Sequence, residues 1–169
     1  MINRPFFNHK HYRLCGLMLV VLCFLAACTT PANATTCTVI KVADGDSFTC
    51  KMKSGKKQFI RMSGIDAPEI KQTYGQNARH ALNTALLGKT VRLKNISQDR
   101  YGRTLATVYV GNEDQNLNMV ATGNAWVYRR YNTQPQYIQA EELARQHKIG
   151  LWQKKNPVYP EDWRRKNGH

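Results

Sequence analysis

Six charged side chains fall where a β-rich chain turns or ends a strand. They are Asp44 and Asp46 in "VADGDSF", Arg61, Asp66 and Glu69 in "FIRMSGIDAPE", and Arg103 in "DRYGRTLA". Aspartates that converge on one rim make a hard oxygen site, and Ca2+ suits such a site because it takes carboxylates, a backbone carbonyl and waters. Guanidinium forks beside it match phosphate oxygens. A spare carboxylate can activate a water. Pro68, between Asp66 and Glu69, helps fix the turn that carries Glu69. A cation, two arginines and one free carboxylate together resemble what phosphodiester hydrolysis requires.

Each residue also has a structural reading of its own. Asp44-Gly45 is a common hairpin turn, so Asp44 reads as structural. Asp46 and Asp99 could cap turns. Arg61 and Glu69 could form an ion pair, and Arg103 could be surface charge. Other chemistries have little to build on. The sequence has no phosphate-binding glycine loop and no G-x-S-x-G elbow, and its histidines, His9, His11, His80, His147 and His169, are scattered. A zinc site or a Ser-His-Asp triad is therefore not expected.

The elements that must position these residues follow from periodicity. Cys37 to Val42 alternates and is rich in β-branched residues; "DGDS" turns the chain and "SFTCKM" returns it. After a turn at Ser54–Lys57, "QFIRMSGI" reads as a third strand ending near Gly64 and Pro68. Ala78, Ala81, Leu82, Ala85 and Leu86 then mark one apolar helix face, with Gly88 as its stop. "TVRLKNI" and "RTLATVYV" read as two more strands. A short helix around Leu117–Ala121 follows. "TQPQ" from Thr133 resembles a capping box that opens a helix to about His147. The last stretch, "QKKNPVYPEDWRRKNGH", reads as an irregular basic tail pinned by Trp152 and Trp163. Five short strands with local turns predict a β-rich α+β fold, a small antiparallel barrel with about three helices.

Length and charge bound the rest. The chain has 169 residues and a formal charge of +14. Only three cations, Arg4, Lys10 and Arg13, precede residue 35, so the remainder is strongly basic and suited to a polyanion, nucleic acid or an anionic surface. Residues 1–34 read as an export segment. The 14-residue apolar run Leu14–Ala27 is short for a membrane span and fits a signal-peptide core. "LAAC" resembles a lipobox that would place a lipid on Cys28; "ANA" offers ordinary cleavage at Ala34. Thr29 after Cys28 favours outer-membrane sorting in a Gram-negative cell. A cell-envelope location, lipid-anchored or else periplasmic or secreted, is expected. In an oxidising compartment Cys37 and Cys50, on either arm of the first hairpin, are expected to pair, with two buried thiols as the alternative.

"VADGDSF", "FIRMSGIDAPE" and "DRYGRTLA", in this order and spacing, resemble the staphylococcal nuclease (thermonuclease) family over about Cys37–Trp152. The resemblance implies an OB-type five-stranded barrel at residues 35–152, followed by a basic Pro-rich tail at 153–169. It implies a Ca2+-dependent, monomeric endonuclease acting on DNA and RNA and leaving 3′-phosphate ends. By motif, Asp46, Asp66 and the carbonyl of Ala67 would hold Ca2+, Glu69 would be the general base, and Arg61 and Arg103 would bind the scissile phosphate, with Arg61 aimed at it from the strand. Ala67 and Ser47 replace threonines of the best-known member, and the loop from Glu69 to Tyr74 is shorter. Tyr131 is the candidate for stacking on a base or ribose, with Arg100 and Tyr101 on phosphate. Tyr128 is either a further contact or core, Trp126 reads as core, and "WRRK" as a backbone clamp. Two other classes remain open: a non-catalytic OB-fold module that binds nucleic acid, and a structural lipoprotein resting on anionic lipid.

Overall fold

The computed structural model describes residues 35–168. The expected export segment, with Cys28 and the alternative site at Ala34, lies outside the described residues. The first three strands are β1 (Thr35–Val42), β2 (Ser47–Met52) and β3 (Lys57–Met62), joined in an antiparallel meander. A two-residue strand, β4 (Ile65–Asp66), precedes helix α1 (Gly75–Leu86). Strands β5 (Thr90–Gln98) and β6 (Thr104–Val110) form the second hairpin, and β5 pairs with β1. Then come β7 (Glu113–Asp114), α2 (Gln115–Ala121), β8 (Trp126–Val127) and α3 (Pro135–Gln146). A single 3-10 turn at Gly150–Gln153 and helix α4 (Pro160–Asn167) close the chain.

The sheet runs β3-β2-β1-β5-β6 and closes on itself through a β3–β6 pairing. That pairing is parallel, with Ile60 opposite Thr104 and Arg61 opposite Leu105. The expectation of an all-antiparallel barrel is corrected to a mixed one, for a topological reason. Five strands that alternate in direction bring the first and last to the seam pointing the same way. The fold is the expected β-rich α+β, OB-type barrel. Among the described residues there are four α-helices rather than the expected three, because the expected irregular tail turns helical at Pro160. Pro at a first helical position, acids Glu161 and Asp162 in the first turn and cations Arg164–Lys166 in the last all favour that helix.

The barrel interior is filled by Phe48, Ile60, Met62, Val91, Ala106 and Val108, all essentially buried. Helix α1 caps it with Ala78, Leu82 and Leu86, the face its spacing predicts. The third strand stops at Met62, earlier than its pattern implies. Ile65 and Asp66 leave the barrel to pair with Val127 and Trp126 of β8. The buried Glu141 of α3 accepts from the Val127 N–H at 3.3 Å and from Arg129 at 2.8 Å. Helix α3 thus secures β8, and β8 holds Asp66. No capping box forms at α3: its N-cap is Gln134, without a side-chain cap, and Asn132 Oδ1 accepts the Gln134 N–H at 3.0 Å instead.

Cys37 and Cys50 are joined by a disulfide with their Cα atoms 5.7 Å apart. They are not directly opposite: Cys37 faces Met52 and Val39 faces Cys50, so the bond crosses the hairpin diagonally, at a reach long side chains span. With the cysteines 13 positions apart in sequence, loop closure alone accounts for about 3 kcal/mol. Reduction, or Cys37→Ser with Cys50→Ser, is expected to lower unfolding free energy by about that amount, read from denaturant curves with and without reductant.

Candidate active site

The turn between β1 and β2 is built on Asp44. Its Oδ1 accepts from the Asp46 N–H at 3.0 Å and from the Ser47 hydroxyl at 2.6 Å, so Asp44 has the structural role its turn motif implies. This directs Asp46 inward, where it is 6% exposed. Gly45 is required by close approach: a Cβ there would lie 2.7 Å from the Cβ atoms of Ala67 and Ala78. Asp46 Oδ2 accepts the Ala67 N–H at 2.8 Å, which locks the β1–β2 turn to the segment after β4.

Arg61 lies between the two aspartates. Its Nη1 is 2.9 Å from Asp46 Oδ2, and its Nη2 is 2.9 Å from Asp66 Oδ1. Both ends of the Arg61 fork are thus engaged by carboxylates, while the residue also lines the groove above. It does not pair with Glu69. That carboxylate meets Arg164 of α4, whose Nη1 donates to Glu69 Oε1 at 2.7 Å and to Asp66 Oδ1 at 3.1 Å, and whose Nη2 donates to Asp66 Oδ2 at 2.9 Å. Asp66 is completely buried beneath these two guanidinium groups. The Glu69 backbone is fixed separately. Its N–H donates to Gln72 Oε1 at 3.1 Å, and Gln72 Nε2 donates to the Val158 carbonyl at 2.6 Å. A Cβ at Gly75 would fall 1.9 Å from the Glu69 carbonyl oxygen, so only glycine lets α1 begin there.

Burial pushes the carboxyl groups of both Asp46 and Asp66 above the usual range, despite the arginines. Asp44 and Asp66 add to the rise at Asp46, and Glu69 adds to it at Asp66. Arg61 is held above its ordinary value: burial opposes its charge, but Asp46 and Asp66 outweigh burial. Burial, more than any excess of negative charge, sets these shifts, since Arg61 and Arg164 pair with both aspartates. Among the described residues no group of three or more His, Cys, Asp or Glu converges as a ready metal cage. The donor set still fits a hard divalent cation, with two carboxylates brought together by one shared guanidinium, the remaining positions falling to carbonyls and water.

A groove of about 1100 Å³ runs over this cluster. It is lined by Asp46, Arg61, Ala67, Glu69 and Arg103, and also by Arg100, Tyr101, Tyr128 and Tyr131. Of the site residues named from sequence, only Asp66 lies below its surface. Arg103 is oriented by Asp99, which accepts from its Nε at 2.6 Å and from its N–H at 2.9 Å. The guanidinium groups of Arg100 and Arg103 lie 4.8 and 5.4 Å from the Tyr101 ring centre. Tyr131 is 69% exposed, and its ring meets half-buried Tyr128 edge-on at 4.8 Å. Trp126 is core, packed on Trp152 and Tyr159. Arg164 and Gln72 are the residues that sequence reasoning missed. The "WRRK" charge marked the region, but nothing local says that Arg164 turns inward while Arg165 pairs with Asp162.

A small closed barrel with a buried carboxylate–guanidinium cluster on one rim, under a basic and aromatic groove, defines an OB-type scaffold with a polyanion-facing site. Residues 59–154 match the family model described as "Staphylococcal nuclease homologue". The chain is 43% identical over 165 residues to a Haemophilus influenzae protein named an uncharacterized endonuclease, covering 98% of this chain and 88% of that one. It is 44% identical over 128 residues to an Escherichia coli O157:H7 protein of the same description, covering 75% and 82%. It is 36% identical over 119 residues to a staphylococcal-like nuclease, CAN1, of Arabidopsis thaliana, covering 70% of this chain and 37% of that one. The chain belongs to the staphylococcal nuclease family.

The raised carboxyls give a signed expectation. A carboxyl whose folded pKa is raised adds stability that is full below its unfolded value, about 3.9, and lost as pH rises through the folded value. In chelator, Asp46→Asn is therefore expected to gain stability relative to wild type as pH rises from about 4 to 7. Melting temperatures of the two proteins across that range check it; a constant difference would contradict it.

Proposed function

We propose that this protein is an exported, Ca2+-dependent endonuclease that hydrolyses phosphodiester bonds in DNA and RNA. Its membership of a nuclease family supports the enzyme class. The observation that carries the reading is the placement of Glu69 beside the buried Asp46–Arg61–Asp66 cluster, at the floor of a groove rimmed by Arg100, Arg103 and Tyr131. Asp46, Asp66 and the Ala67 carbonyl would hold the cation. When bound, it supplies positive charge to the phosphoryl oxygens and to the developing transition state.

This chain's own residues do the rest. The groove cations bind the phosphate backbone without reading bases, and Tyr131 offers an exposed ring for a base or ribose. Glu69 takes a proton from a water, whose oxygen bonds to phosphorus. The bond from phosphorus to the 5′ oxygen breaks, that oxygen takes a proton from solvent water and leaves as a hydroxyl, the phosphate stays on the 3′ side, and Glu69 returns its proton to solvent. Arg103, steered by Asp99, stabilises the charge gathered on the phosphoryl oxygens. Arg61 serves the same charge from beneath while holding the two aspartates together.

Glu69→Gln is expected to lower cleavage of linear and single-stranded DNA by about 10²–10⁴-fold while leaving binding nearly intact, and EGTA to abolish wild-type cleavage. Binding without cleavage under every metal condition would instead make this a non-catalytic nucleic-acid-binding barrel. For location, we propose a cell-envelope protein acylated on Cys28, or one released after cleavage at Ala34. Labelling with a fatty-acid analogue is expected in wild type and lost in Cys28→Ala; equal labelling of both would exclude the anchor.

A further inference from the structure

Arg164 reaches the site from helix α4, 98 residues along the chain from Asp66. It lays a two-pronged fork on Asp66 and a third bond on Glu69. Both oxygens of Asp66 are thereby occupied, Oδ1 by Arg61 and Arg164 and Oδ2 by Arg164. Only one of its roughly four lone-pair sites is left, on Oδ2 beside the Arg164 guanidinium, so a divalent cation that takes Asp66 comes up against Arg164. The two guanidinium groups are not equally held. Arg61 is 11% exposed, stands on a barrel strand, and is also paired with Asp46. Arg164 is 26% exposed and belongs to an eight-residue terminal helix in which only Pro160 is buried. So short a helix has little stability of its own, and a segment with few buried contacts opens at low cost. Besides Arg164, α4 and the residues before it are held by Tyr159 against Trp126 and Tyr128, by Gln72 on Val158, by Trp163, and by a loose Arg130–Glu161 pair at 3.7 Å.

We propose that Arg164 is a positioning residue that occupies the cation's place. It holds Asp66 and Glu69 side by side while the site lacks a divalent ion, and yields Asp66 when the ion arrives, so that α4 docking and cation binding oppose each other. A divalent ion would be a third positive group on a carboxylate that already carries two guanidinium groups; the added repulsion is strong at such separations, and the weaker-held group leaves. This inference rests on the divalent-cation reading above.

The test compares Ca2+ binding by calorimetry for full-length wild type, Arg164→Gln and Arg165→Gln, and hydrogen exchange of wild-type residues 158–167 with and without Ca2+. If α4 is docked nine-tenths of the time, it weakens the apparent affinity about tenfold. Arg164→Gln is therefore expected to bind Ca2+ about tenfold more tightly, Arg165→Gln to match wild type, and Ca2+ to speed exchange in α4. Equal or weaker binding by Arg164→Gln, or unchanged exchange in α4 on saturation with Ca2+, would overturn the role of Arg164 and leave the Ca2+ site standing. No binding by any of the three proteins would overturn the site and the latch together. The wild-type exchange experiment decides the matter even if Arg164→Gln fails to fold.

Discussion

Asp46 and Asp66 come from two separate turns, and a single guanidinium, that of Arg61, bonds to both at 2.9 Å. Two carboxylates this deeply buried would repel each other and suffer desolvation if either stood alone. Arg61 makes their meeting tolerable, and the geometry around them is organised to keep it in place. The Asp44 turn directs Asp46 inward, the Ala67 N–H ties it to the segment after β4, and the β8 pairing holds Asp66 where the barrel strand has already ended. Even so, burial leaves both carboxyls above their ordinary range. The site keeps two carboxylates out of water, which prepares hard oxygen donors for a cation and is a poor arrangement for stability.

Much of this could be read from local sequence because local chemistry dictates it. A "DGD" turn fixes Asp44 as its own hydrogen-bond acceptor whatever surrounds it. Alanines and leucines at i, i+3 and i+4 commit α1 to one buried face. The two cysteines sit on either arm of a hairpin, close enough to bridge even though the register puts them diagonally. The aligned motifs also place Glu69, Arg103 and the aromatic residues on one groove.

What escaped the sequence was decided by partners far away. That β4 abandons the barrel depends on β8, some sixty residues later, and β8 depends on a buried Glu141 in α3. The inward turn of Arg164 depends on carboxylates 95 and 98 residues distant. The same is true of Gln72, a polar residue in a short loop with no visible pattern, which links the Glu69 backbone to the Val158 carbonyl. The parallel seam had a different cause: it follows from counting strands around a closed ring rather than from any residue.

That seam divides the working parts. Asp46, Arg61, Asp66 and Glu69 belong to β3 and the segments on either side of it, while Arg103 stands at the entrance to β6, and the register of β3 on β6 brings Arg61 within two positions of Arg103 along adjoining strands. A chain whose barrel has not closed carries every group the proposed chemistry needs, but in two halves that do not meet. Hydrolysis would then begin only when the ring is complete. Until it closes, a newly made chain would be inert toward nucleic acid through topology alone.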